Sequence, residues 1–337
     1  MPPTRDRRIW QHPIVDFKRG RKVRFFFEGQ VIEAYEGETI AAALYAIGID
    51  TLTWSPKLGR PRGPFCMIGK CSSCLMTVNG VPNVRTCIEP VADGIRVERQ
   101  RGLPKVPKGS TPNPPREEAI DTDLVIVGGG PAGLIAAIEA GSRGLDVVLI
   151  DEGPRLGGQL IKQTHKFFGS REWFSGYRGF EIAEILERRV RSIRSVRALS
   201  QTTAYGFFKG SVLGAASLGR ERRLYRIRFR TALVSTGASE NYLVFPGNDL
   251  PGVMGAGGAQ TLMNVFGIRP AEKALVVGAG NVGLIVAYQL LQAGVSVEAV
   301  LEIMPEIGGW FVHAAKLRRY GVCLLYTSPS PRDLSTS

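Results

Sequence analysis

Four cysteines, Cys66, Cys71, Cys74 and Cys87, fall in one short stretch with the spacing C-x4-C-x2-C-x12-C. Four thiolates this close, on a tight loop, can wrap a [2Fe–2S] cluster, and this order of spacings is one that such clusters use. The rival chemistries fit less well. A structural zinc site of four cysteines ordinarily shows two C-x2-C knuckles, and here there is one. Disulfides belong to oxidising compartments, and nothing in the chain points to secretion. Between the first two cysteines, Gly69 allows backbone amides to turn toward sulfur. Ser72 and Ser73 add small hydroxyl side chains.

A second kind of chemistry is written in glycines. The apolar run at 124–127 leads into Gly128-Gly129-Gly130-Pro131-Ala132-Gly133, then an Ala-rich helical stretch at 134–141, then a second apolar run at 147–150 that ends at Asp151-Glu152. This is the G-x-G-x-x-G turn in its full strand–helix–strand setting. Gly128 permits the tight turn, Gly130 the approach of a pyrophosphate, and Gly133 the packing of helix on strand. The helix N-terminus faces the phosphates, and Asp151 stands where an adenosine ribose needs an acceptor. The pattern then repeats. Residues 274–277 lead into Gly278-Ala279-Gly280-Asn281-Val282-Gly283, a helical stretch at 284–292 and a strand at 296–301 ending at Glu302. Two such units predict two bound nucleotides. A carboxylate at 302 would repel a 2′-phosphate and so favours NAD over NADP. The competing reading is a second unit that is structural and empty.

The elements that must position these residues can be read in outline. Residues 22–100 predict a β-rich domain: a hairpin turning at Glu28-Gly29, helical character at 38–47, a strand after Cys74, and a turn at Asn79-Gly80 that returns Cys87 to the other cysteines. That is the β-grasp order expected around a plant-type ferredoxin cluster. Residues 101–120 are Pro-rich and polar and predict a semi-extended linker. The expected organisation is α/β: a β-grasp domain (1–100), the linker (101–120), a first Rossmann-type nucleotide unit (121–250), a second (251–322) and a tail (323–337).

With 337 residues, 44% hydrophobic and 22% charged, the composition is that of an ordinary globular chain with room for several cores. The basic N-terminus at 1–8 is followed by no apolar run, so no signal peptide is predicted. No apolar stretch has the length to span a bilayer, and a cytoplasmic setting is expected. The net charge is +13, but the basic residues are scattered and accompany no nucleic-acid motif, so solvated basic faces are expected rather than nucleic-acid binding. From about Cys323 the sequence changes character. CLLYTSPSPRD resembles the translation of a transposase adapter used in sequencing libraries, and the natural sequence is expected to end near Val322. Cys323 aside, every cysteine belongs to the cluster motif, which leaves none for a redox disulfide beside a flavin.

Further segments carry a family resemblance. Gly157-Gly158-Gln159-Leu160 after Asp151 resembles the FAD domain of the two-dinucleotide flavoprotein reductases, and Leu233-Val234-Ser235-Thr236-Gly237-Ala238 resembles their second FAD-contacting strand. Asn248 to Val253 resembles the crossover into the NAD domain, and the resemblance implies the first part of an FAD-binding domain over 121–250 with an incomplete inserted NAD-binding domain over 251–322. With the cysteine domain in front, residues 10–322 resemble the α subunit of heteromeric amine dehydrogenases and oxidases, the group of sarcosine oxidase, dye-linked proline dehydrogenase, opine oxidase and hydrogen cyanide synthase. The resemblance implies an FAD- and [2Fe–2S]-dependent oxidoreductase subunit that relays electrons among flavin, NAD and cluster. It also implies a flavoprotein β subunit that carries the amine site. The alternatives are a stand-alone NADH:acceptor reductase with a fused ferredoxin domain, and a non-catalytic electron-transfer or scaffold subunit.

The implied site residues are Cys66, Cys71, Cys74 and Cys87 for the cluster. For FAD they are Gly128, Gly130, Pro131, Ala132, Gly133, Asp151, Glu152, Gly158, Gln159, Thr236 and Gly237. For NAD they are Gly278, Gly280, Asn281, Val282, Gly283 and Glu302. No catalytic residue is assigned. His12 is expected at the surface, His165 and His313 in packing roles, and Lys162 near the flavin.

Overall fold

The computed structural model describes residues 6–104, 115–166, 168–217 and 222–326. It divides into two compact units, one of residues 109–239 and one made of residues 1–108 together with 240–337.

The discontinuous unit opens with β1 (Lys22–Phe27), β2 (Gln30–Tyr35), α1 (Ile40–Ala46), β3 (Thr53–Trp54), β4 (Pro61–Arg62), β5 (Leu75–Val78), β6 (Val81–Arg85) and β7 (Arg96–Arg99). Five of these strands form one sheet in the order β2-β1-β7-β5-β6. Only β1 and β7 pair in parallel. Both hairpins turn where the sequence predicts. At the second, Asn79 (φ 49°) and Gly80 (φ 78°) take the left-handed angles of a two-residue turn that matches strand twist. Thr39 caps α1 by accepting the Ala42 amide. All seven residues of α1, IAAALYA, are buried, which is why the helix is apolar all round rather than striped.

The same core takes in Leu262 and Ile268 from far along the chain. They belong to a second stretch of this unit, which runs α4 (Ala256–Gln260), a π-helical turn (Thr261–Val265), β14 (Lys273–Val277), α5 (Asn281–Gln292), β15 (Ser296–Leu301), α6 (Phe311–Arg319) and β16 (Cys323–Leu325). β14, β15 and β16 form a parallel sheet in that order. Cys323–Leu325 pair with Ala299–Leu301, so the first three residues of the expected tail are a strand; CLL is apolar enough to be one. Residues 327–337 lie outside the described residues.

The continuous unit holds β8 (Arg116–Val127), α2 (Pro131–Ser142), β9 (Val147–Ile150), α3 (Gly179–Ser192), β10 (Val196–Leu199), β11 (Thr202–Phe208), β12 (Val212–Ser217) and β13 (Arg223–Val234). Its sheet order is β10-β9-β8-β13-β12-β11. A parallel half carries α2 and α3, and an antiparallel meander, β11 to β13, completes it. Ile126, Leu134, Ile138, Leu149, Leu186 and Val190 form the core beneath the helices.

Two expected boundaries move. The linker expected over 101–120 ends earlier, because β8 begins at Arg116 and pairs with β13 from Arg223 onward. The polar run Arg116-Glu117-Glu118 reads as linker, yet it is a strand end whose charges meet Arg197 and Arg223 through Glu118. Residues 240–250, expected in the FAD domain, belong to the other unit. There Tyr242 meets Phe65 edge to face at 4.5 Å, and Asp249 pairs with Arg62 at 3.3 Å and Arg60 at 3.7 Å. Long-range ion pairs and ring contacts of this kind leave no periodicity for a sequence reading to detect.

Candidate functional site

The four cysteines come together. The loop from Cys66 to Cys74 places Met67 (φ 53°), Gly69 (φ 74°) and Ser72 (φ 62°) in the left-handed region. Two non-glycine residues held there between candidate ligands mark a loop whose shape is imposed by its surroundings. The result is a set of amides aimed at sulfur. Gly69 N–H donates to Cys87 Sγ at 3.2 Å, Lys70 N–H to Cys66 Sγ at 3.4 Å, and Cys87 N–H to Cys74 Sγ at 3.4 Å. Cys66, Cys74 and Cys87 are buried, while Cys71 is half-buried and stands nearest solvent.

The sulfurs also meet one another. Contact with Cys71 holds the Cys66 thiol well below its ordinary value, and the same contact pushes Cys71 up. Contact with Cys87 lowers Cys74, while contacts with Cys66 and Cys74 raise Cys87 well above its ordinary value. Each thiol is thus shifted first by a neighbouring sulfur, as expected of side chains gathered into one donor set. The contacts run as a chain, Cys71–Cys66–Cys87–Cys74. Among the described residues, no three His, Cys, Asp or Glu side chains close on a single-ion site. All five cysteines are free of disulfides.

The first glycine turn is built as its motif requires. Gly128 has φ 110°. A Cβ on Gly133 would lie 1.9 Å from the Gly128 carbonyl oxygen, so only glycine lets α2 sit this close to β8. Gly130 differs. A Cβ there would find no atom of the chain nearer than Gly158 Cα at 4.0 Å. The chain's own packing does not require Gly130 to be glycine, whereas a pyrophosphate approaching the N-terminus of α2 does. Around this turn the expected FAD residues gather. Asp151 accepts the Gly129 and Gly153 amides at 2.7 Å each. The Gly157 amide donates to the Gly129 carbonyl at 2.8 Å and brings Gly158 against Gly130. Ser235, at the end of β13, donates its hydroxyl to the Gly128 carbonyl at 2.9 Å. That places Thr236 and Gly237 beside the turn, both exposed, as are Pro131, Ala132, Glu152 and Gln159. The sequence reading did not single out Ser235; its place between a strand end and T-G was the available signal.

The second turn repeats this geometry. Gly278 has φ 104°, a Cβ on Gly283 would lie 1.9 Å from the Gly278 carbonyl oxygen, and a Cβ on Gly280 meets nothing. Glu302 accepts the Ala279 amide at 2.7 Å and the Ile303 and Met304 amides at 2.8 and 3.0 Å. Those amides, Met304 first, hold its carboxyl below the ordinary carboxylate value, so it is ionised at neutral pH. Asn281 and Val282 open α5 and are exposed.

Of the residues set aside, His12 is half-buried rather than at the surface, because its Nδ1 accepts the Ile14 and Val15 amides. His313 is buried on α6. His165 lies beside Phe168 with ring centroids 4.7 Å apart. Lys162 is buried in the 3-10 turn Gly158–Lys162 that follows Gly157.

Comparison with known proteins agrees with this geometry. Residues 20–102 match the 2Fe-2S iron-sulfur cluster binding domain, and residues 122–318, more than half of the chain, match the pyridine nucleotide-disulphide oxidoreductases. Together the two domains bear out the expected [2Fe–2S] and FAD cofactors, a pyridine nucleotide, NAD(P), where NAD was expected, and the ferredoxin-like domain ahead of an FAD/NAD(P) fold. The chain is 28% identical to the sarcosine oxidase alpha subunit of Rhizobium meliloti, over 94% of this chain and 37% of that one. It is 32% identical to an opine oxidase subunit of Agrobacterium tumefaciens, over 53% of this chain and 36% of that one. The chain thus spans about a third of the length of the curated relatives it matches. Among solved structures, L-proline dehydrogenase from P. horikoshii matches with a TM-score of 0.69 and 32% identity, over 85% of this chain and 55% of that one. These are the relatives to which the sequence resemblance pointed.

Proposed function

Since the chain belongs to the pyridine nucleotide-disulphide oxidoreductase family, we propose that it is an FAD- and [2Fe–2S]-dependent oxidoreductase subunit of a complex that oxidises a secondary amine of the sarcosine, proline or opine type. The observation that carries this is the combination of a four-sulfur loop with a dinucleotide turn in one chain whose relatives are subunits of amine oxidases. FAD, when bound, supplies two-electron exchange with a reduced partner and one-electron exchange with an iron–sulfur centre.

The chain's own residues supply binding and electrostatics. Cys66, Cys71, Cys74 and Cys87 would ligate the irons, and the Gly69, Lys70 and Cys87 amides would stabilise negative charge on the sulfurs. The turn at Gly128–Gly133 and the N-terminus of α2 would take the FAD pyrophosphate, with Asp151 and Glu152 at the ribose and Gly158, Gln159, Thr236 and Gly237 alongside. Gly278, Gly280, Asn281, Val282, Gly283 and Glu302 would do the same for NAD. The amine would be oxidised on a flavoprotein β subunit. Free thiols and an iron–sulfur loop fit a reducing compartment, so a cytoplasmic setting is part of this reading. No helix among the described residues is long and apolar enough to cross a membrane.

The test is reconstitution. Purified protein should carry flavin and, when reduced, a [2Fe–2S] paramagnetic signal, and should oxidise an amine only together with a β subunit. Strong NADH–dye activity of the chain alone would favour a stand-alone reductase. A protein that never takes up FAD would leave only a scaffold.

A further inference from the structure

The second nucleotide unit has a return loop that copies the first. After Asp151 the chain reads Glu152-Gly153-Pro154-Arg155-Leu156-Gly157-Gly158, and after Glu302 it reads Ile303-Met304-Pro305-Glu306-Ile307-Gly308-Gly309. In both, an acid is followed at the same intervals by proline, a branched aliphatic residue and a glycine pair. A backbone bond to the turn closes each loop, from the first glycine of the pair in one and from the second glycine in the other. The Gly157 amide donates to the Gly129 carbonyl at 2.8 Å, and the Gly309 amide to the Ala279 carbonyl at 3.0 Å. Gly309 makes the close approach: a Cβ there would lie 2.6 Å from Leu284 Cδ1 and 3.0 Å from the Asn281 nitrogen, whereas one on Gly308 would meet nothing nearer than 4.0 Å.

Beyond this tie the loops differ. After the glycine pair the first continues with Gln159 and Leu160, the second with Trp310 and Phe311. The Trp310 amide donates to Asn281 Oδ1 at 2.8 Å, which fixes the residue against the first turn of α5. Yet Trp310 is 62% exposed and Phe311 75%, and Val282, next to Asn281 on α5, is 59% exposed. An apolar rim of this kind, anchored by backbone bonds at the mouth of a nucleotide turn, is the form of a ligand wall. Along the turn, Glu302 is bonded at Ala279 and Trp310 at Asn281. The ribose acid is thus tied to the turn at Ala279, and the backbone of Trp310 two residues further along it, at the start of α5.

We propose that Trp310 is the stacking wall for the nicotinamide half of an NAD(H) bound on the Gly278–Gly283 turn. The inference rests on the reading of that turn as a nucleotide site and adds the residue that receives the ring. A flat indole, already in place and mostly in water, gains contact with a planar heterocycle at little ordering cost.

The test is calorimetric titration of NAD+ and of ADP-ribose, which lacks the nicotinamide, into the full chain, Trp310→Ala and Trp310→Phe. Losing one stacked ring costs about tenfold in affinity. Trp310→Ala should therefore bind NAD+ about tenfold more weakly and ADP-ribose as the unsubstituted protein does. Trp310→Phe, which keeps a ring, should retain most of the NAD+ affinity. Equal NAD+ affinity in Trp310→Ala overturns the assignment, as does an equal loss for both ligands. If the unsubstituted protein binds ADP-ribose and NAD+ equally and Trp310→Ala changes neither, the wall is refuted and the site stands. If the unsubstituted protein binds neither, the nucleotide site itself is refuted, and the wall with it.

Discussion

Two glycines three residues apart should fail in opposite ways when replaced by alanine. Gly130 has φ −73° and ψ −176°, extended backbone that alanine adopts freely. Its added methyl would meet nothing nearer than 4.0 Å. Gly130→Ala should leave the stability of the FAD-free protein within about 1 kcal/mol of the original, since the lost unfolded-state entropy and the poorer helix cap roughly cancel. The methyl instead occupies the space a pyrophosphate needs. Forcing one extra carbon into a fitted contact costs about 1–3 kcal/mol, which is about 5- to 150-fold in the dissociation constant. Gly133→Ala puts its methyl 1.9 Å from a backbone carbonyl oxygen and 2.8 Å from Ser235 Oγ. Neither α2 nor β8 can yield without breaking its ladder, so the loss should exceed about 3 kcal/mol, the upper end of ordinary overpacking. The assays are thermal unfolding of FAD-free protein and titration of FAD into it, followed by flavin fluorescence. Gly130→Ala with unchanged FAD affinity would refute the reasoning, and so would Gly133→Ala with an unchanged melting temperature. Gly280→Ala and Gly283→Ala should repeat the pair for NAD.

Other outcomes follow from single contacts. Cys74→Ser should abolish the [2Fe–2S] paramagnetic signal while flavin content, set in the other unit, is unchanged; a persisting signal would remove Cys74 from the ligand set. Glu302→Gln should raise NADP affinity relative to NAD by about tenfold or more, because it removes a like charge from the 2′-phosphate; an unchanged ratio would count against Glu302 as the ribose acid. Glu38 is buried and takes a bidentate pair from Arg8 at 2.7 and 2.8 Å and a third contact from Arg19 at 3.2 Å. Glu38→Ala should cost about 3–5 kcal/mol, the loss expected when buried cations are left unpaired, and a melting temperature that stays put would show the network to be dispensable. Burial, with a smaller push from Lys316, lowers the pKa of His313. The folded protein then binds fewer protons than the unfolded chain, so stability is full above the unfolded value of about 6.5 and falls as pH drops below it. His313→Asn should flatten the decline in melting temperature on acidification, and an unaltered slope would place that decline elsewhere.

What the sequence makes legible here is local chemistry, and what it hides is docking. The cysteine spacing, the two glycine turns and the Asn79-Gly80 hairpin are set by contacts within a few residues, and each is found where its residues predict. The stretch from 240 to 268 is different. The Gly255 amide donates to the Phe65 carbonyl at 3.1 Å, one residue before Cys66, and a Cβ on Gly258 would lie 2.1 Å from the same oxygen. Glu240 in turn holds the start of α4 through the Ala256 and Gly257 amides at 2.8 and 3.1 Å. Nothing in the periodicity of this stretch announces that it packs on the cysteine loop, because the pairing joins residues nearly two hundred positions apart. The glycines at 255 and 258 are its one trace, and they read as turn residues until the neighbouring backbone is seen. The consequence bears on the cluster itself. The backbone just before Cys66 is held by the stretch around Gly255 and Gly258, so the ferredoxin-like domain is joined to the later part of the chain by contacts as well as by the linker. A Gly258→Ala change, distant in sequence from every cysteine, should disturb the loop that holds Cys66. It should shift or broaden the [2Fe–2S] paramagnetic signal while leaving flavin content intact, and an unchanged spectrum would show the contact to be incidental.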